Sequence, residues 1–128
     1  MKKFCCILTL VLLMISSRAF AEDVLIVADD SDSTRGVEWY VQTELLEEDL
    51  DNKTFEVPVK LVIIMKQSGE RTEHARFLLQ EFRLVDGVWY ARQKNSSHDF
   101  GLLGESEFNQ KVFDACKPYS ELAQTYPR

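Results

Sequence analysis

The sequence predicts an α+β fold, an antiparallel β-meander with one C-terminal helix packed on the sheet, and three observations carry that expectation. From Val37 to Ala91 apolar and polar residues alternate with a period of two, broken by short polar stretches. Asp86-Gly87 stands between two β-rich runs, and a tight hairpin turn needs such residues because its central positions take positive φ. Near the C-terminus the apolar spacing changes to that of one helix face.

Taken in order, the chain opens with Lys2 and Lys3, an uncharged and largely apolar run from Ile7 to Ile15, and Ala19-Phe20-Ala21. A positive start, a short apolar stretch and small residues before a cut site make a secretory signal, too short to span a bilayer. Residues 1–21 are expected to leave and residues 22–128 to form a single β-rich exported domain. The compact Met-Lys-Lys start is bacterial in style, so a periplasmic or secreted location is expected.

Val24 to Val27 reads as a short strand, and the polar stretch from Asp29 to Gly36 as a loop. Val37 to Thr43 is a strand with Val37, Trp39 and Val41 on one side and Glu38, Tyr40 and Gln42 on the other. Glu44 to Asn52 suits a loop or a single helical turn. Phe55 to Met65 is the longest strand candidate, and Pro58, which has no amide donor, calls for a sheet edge or a bulge beside it. Glu73 to Val85 is a second long strand, apolar in part on both faces, which suits a sheet covered by a helix. Val88 to Ala91 completes the Asp86-Gly87 hairpin. Gln93 to Gly104 is a polar loop, and Ser106 can cap a helix through Cys116. Phe108, Val112, Ala115, Cys116 and Tyr119 fall on one face of it, Pro118 marks its stop, and the tail to Arg128 is expected to be loosely ordered.

Composition excludes several classes of function. The chain carries a net charge of −6, and loss of Lys2, Lys3 and Arg18 with the signal leaves −9. So acidic a surface repels phosphate backbones, which argues against a nucleic-acid partner. No further apolar run is long enough for a transmembrane helix. Cys5 and Cys6 lie in the signal, so Cys116 is the one thiol left and no internal disulfide is possible; burial in the helix is the expected fate.

No catalytic constellation stands out. His74 and His98 are the two candidates for proton transfer near neutral pH, and neither has a nucleophile or carboxylate at a recognised catalytic spacing. Zinc needs three or four converging ligands, whereas the chain offers these two histidines and Cys116. The aspartates after Val27 miss the calcium-loop pattern, because Arg35 and Val41 stand where a Gly and a Glu are required. Neither a metal nor a cofactor is expected. The Glu44 to Asp49 run is a solvated face, without the opposed carboxyls that glycoside hydrolysis requires. Trp39-Tyr40 and Trp89-Tyr90 each place one ring inward and one outward; cross-strand aromatic packing alone explains such pairs, and if the outward rings are free, Tyr40 and Tyr90 are the candidate binding residues.

Trp39-Tyr40-Val41-Gln42-Thr43-Glu44-Leu45-Leu46, then Phe55-Glu56-Val57-Pro58-Val59-Lys60, then Gly87-Val88-Trp89-Tyr90 form a series. It resembles a segment of small exported bacterial proteins of unknown function, Tyr-Tyr-Val-Asp-Thr-Asp-Ser-Ile, followed by a Val-rich strand and a Gly-x-Trp-Tyr hairpin. The pattern is also similar to the surface-adhesin E-like group. Gln42 and Leu45 replace the usual Asp and Ser. The resemblance implies an exported β-rich scaffold and no particular activity. The functional expectation is a non-catalytic envelope or surface binding module for a protein or glycan partner. The alternative is a small periplasmic hydrolase acting on cell-wall or glycan substrate.

Overall fold

Alternating side chains give seven antiparallel strands, and the computed structural model describes residues 23–126. The expected signal, with Cys5 and Cys6, lies outside the described residues. The strands are β1 (Val24–Asp29), β2 (Arg35–Val41), β3 (Glu47–Asp49), β4 (Thr54–Met65), β5 (Arg71–Val85), β6 (Val88–Gln93) and β7 (Gly101–Leu102). They form one curled sheet in the order β1-β2-β4-β5-β6-β7, with β3 paired to the start of β4. Helix α1 (Glu107–Cys116) and a short α2 (Glu121–Thr125) follow. The α+β meander with a C-terminal helix packed on its sheet is therefore the observed fold. No helix among the described residues is long and apolar enough to cross a membrane.

Asp86 and Gly87 both take positive φ, 51° and 76°, as a two-residue turn between right-twisted strands requires. The turn sets the β5–β6 register, pairing Leu84 with Trp89 and Phe82 with Ala91. Pro58 is buried in a central strand rather than at an edge, yet its missing donor is accommodated. β2 pairs with β4 as far as Val59 and β3 pairs from Glu56 back to Thr54, so Pro58 falls in the interval between two partner strands. There its carbonyl accepts from the Gln42 amide at 3.0 Å, and a 3-10 turn at Thr43–Leu45 fills the interval.

The second irregularity lies in β5. Val59 pairs with Leu78 but Leu61 with His74, so β5 carries extra residues and Arg76 is driven to φ 53°. Gln42 closes the break, its Oε1 accepting from the Arg76 amide at 2.8 Å. Gln42 continues the outward register of Glu38 and Tyr40, but it lies beyond the end of β2 and is buried, 7% exposed.

Phe55, Val57, Val59, Phe82, Leu84, Trp89 and Ala91 face α1. Four rings fill the centre: Phe55 stacks on Phe82 at 4.9 Å, and Phe113 meets Trp89 at 5.0 Å and Phe82 at 5.6 Å. The Ser106 hydroxyl caps α1 by accepting from the Asn109 amide, and Val112, Phe113 and Cys116 are fully buried. Burial pushes the Cys116 thiol well above its ordinary value, which keeps it protonated and unreactive.

Two expectations about the C-terminus are corrected. Tyr119 is 49% exposed rather than on the buried face, because Lys117–Tyr119 winds as a 3-10 turn and leaves the 3.6-residue period. The tail is not loose over its described length. Ser120 caps α2, Leu122 and Ala123 enter the core, and the Trp89 indole donates to the Tyr126 carbonyl at 2.7 Å.

Candidate functional site

The two outward tyrosines are each half-buried and do not form a strip. β4 and β5 lie between their strands, which separates them by about 14 Å at the usual strand spacing. The Tyr40 hydroxyl donates to Glu38 at 2.8 Å, and Lys60 lies 5.0 Å over its ring. Arg71 reaches the same Glu38 oxygen at 2.8 Å, while Lys60 bonds Asp23 at 2.7 Å. The Tyr40 hydroxyl, helped by Arg71, holds the Glu38 carboxyl below the ordinary range. Tyr90 is flanked in register by Arg83 and Leu102. The outer face at Tyr40 is thus a closed network of internal pairs.

On the helix side, a cleft of about 740 Å³ opens between the first turn of α1 and the β6–β7 connection. Its apolar wall is Trp39, Leu78 and Phe108, with the Trp39 and Phe108 rings edge-to-face at 5.6 Å. Phe77, 46% exposed, extends the aromatic surface at 5.8 Å from Trp39. The β5 bulge places Phe77 there, because it displaces the chain between His74 and Leu78.

Polar groups line the same cleft. Gln93 continues the inward register of Trp89 and Ala91, and Asn109 projects from α1; both are half-buried. Neither carboxamide has a hydrogen-bond partner among the described residues, nor does the Trp39 indole N–H. By contrast, Arg92 is already held by Glu81 at 2.8 Å and lies over the Phe100 ring. Directly across from Gln93 sits Gln80, fully buried, with neither amide atom partnered.

His98, Asp99 and Glu105 also line this cleft, all exposed. Asp99 accepts from the Phe100 amide at 2.8 Å, and no hydrogen bond joins any two of the three. His74 is elsewhere on the sheet, exposed, with its ring 6.2 Å from Phe77. The aspartates after β1 serve local turns: Asp29 accepts from the Ser31 amide, and Asp32 from the amide and hydroxyl of Thr34. Those bonds hold both carboxyls below their ordinary value. The acidic groove around Glu47, Asp49 and Glu56 is crossed by Lys94, which bonds Glu56 at 2.7 Å. Of the cleft residues, Trp39 and His98 stood out in the sequence. Gln93 and Asn109 did not, although a glutamine in the inward register of a strand is a detectable signal.

No family model matches the chain, and no curated protein or solved structure matches it in the comparisons made.

Proposed function

We propose that this is an exported, non-catalytic binding module of the bacterial envelope or cell surface, and that its ligand occupies the Trp39–Phe108 cleft. One observation carries the reading: an aromatic wall faces half-buried carboxamides, those of Gln93 and Asn109, that have no partner of their own. Binding sites combine a broad apolar surface with a few oriented polar groups, and unpaired donors and acceptors gain by meeting a ligand. The signal-like start supports export, and the internal pairing of Tyr40 leaves the cleft as the better-supported place for a ligand.

A second reading, a small hydrolase acting on cell-wall or glycan substrate, is favoured by the presence of His98, Asp99 and Glu105 in one cleft. Against it, all three are exposed and none orients another, whereas acid–base catalysis uses a desolvated or partnered group. Capture from a solubilised envelope fraction, compared between the native protein and Trp39→Ala, tests the binding reading. Retention that is lost in Trp39→Ala and preserved in His98→Ala is expected. Turnover of a cell-wall preparation that disappears in His98→Ala or Glu105→Gln would replace this reading with the hydrolase.

A further inference from the structure

Resting on the binding reading above, we infer that the cleft takes a neutral saccharide, with one ring against Trp39 and Phe108 and its hydroxyls on Gln93 and Asn109. A sugar ring has an apolar face of C–H groups and a perimeter of hydroxyls that both donate and accept. The cleft is complementary on both counts. The Trp39 and Phe108 rings give a rigid apolar wall that needs little ordering on binding. The carboxamides of Gln93 and Asn109 each carry a donor pair and an acceptor, which suits hydroxyls better than a purely donating or accepting set.

Charge favours a neutral ligand. The chain carries a net −6, and Asp99 and Glu105 stand at the cleft with one guanidinium, Arg92, already paired to Glu81. An anionic ligand would meet two carboxylates and no free arginine there. A wholly apolar peptide would leave both carboxamides unpaired, at a cost for each.

Gln80 is an independent mark, buried just behind the cleft. It is 0% exposed, unpartnered at both amide atoms, opposite Gln93 and two residues from Leu78, and both of these line the cleft. A polar group left unpaired in a packed core breaks a local rule of stability, and such breaks concentrate beside functional sites. It adds a second carboxamide beside Gln93 on a sheet face that is otherwise largely apolar.

The two tryptophans supply the readout. Trp89 is buried with its indole bonded to Tyr126, whereas the Trp39 indole N–H is unpartnered at the cleft. The isotope-labelled full chain is titrated with maltotriose, cellotriose and tri-N-acetylchitotriose, and with a tri-galacturonate as the anionic control. At least one neutral trisaccharide should shift the Trp39 indole resonance and leave that of Trp89 in place. Trp39→Ala should abolish the binding, and Asn109→Ala or Gln93→Ala should each weaken it about tenfold, the worth of one well-made hydrogen bond. Tyr119→Ala, exposed and away from the cleft, should bind as the native chain does. The inference is overturned if no neutral trisaccharide binds, if binding survives Trp39→Ala, or if tri-galacturonate binds more tightly. A proline-rich peptide moving the Trp39 signal when no sugar does would also overturn it, yet would leave the binding reading standing. Failure of that reading would appear separately, as turnover dependent on His98.

Discussion

Gln80 places a primary amide where the structure gives it neither solvent nor a partner. A leucine of similar length would occupy the site without stranding two donors and an acceptor, so Gln80→Leu should stabilise the protein by about 1–3 kcal/mol. Chemical denaturation checks this, and a fall in stability would show that the amide is paired in solution. The sequence already held the clue, because Gln80 shares an inward register with Leu78, Phe82 and Leu84. Gln42 was less legible. It continues the polar side of β2, and only the break in β5, more than thirty residues later, explains why it is buried and bonded to Arg76. Alternation reports which way a side chain starts, but not the irregular backbone it reaches.

Among the elements, the β5–β6 hairpin was read from two residues because its turn is a local matter of φ. Beyond its own chain neighbours nothing lies within 4 Å of where a side chain at Gly87 would begin, so a substitution there meets conformational strain rather than a clash. Gly87→Ala should therefore cost about 1–2 kcal/mol, the penalty of a left-handed alanine. Gly87→Asn should cost less, since its short polar side chain tolerates that region. Thermal unfolding should rank the three Gly, Asn, Ala. β3 and β7 escaped the sequence reading because they are short: Glu47–Asp49 is acidic, and its pairing with β4 follows from the interval at Pro58 rather than from any apolar pattern. The bulge was legible from one side only: Pro58 called for an edge or a bulge beside it, whereas Arg76 in β5 has none of the chemistry that usually marks a left-handed residue. It is also what positions Phe77 beside Trp39, next to the cleft.

For the molecule as a whole, the core closes only when α1 and α2 are both in place. Leu122 is 5% exposed, and Leu122→Ala should cost about 2–5 kcal/mol, as buried leucine truncations do. A denaturation midpoint unchanged by that substitution would mean that the tail is not docked. The cleft follows from the same architecture. Trp39, Gln93, His98 and Asn109 come from β2, β6, a loop and α1, so no local window could show them together. The final consequence concerns timing. Leu122, Ala123 and the Tyr126 carbonyl that accepts from Trp89 belong to the last stretch of described chain. A ribosome, or any narrow pore the chain is threaded through, releases that stretch only after the sheet and α1. Until its release the sheet lacks part of its cover, so the domain cannot close its core before those residues have emerged.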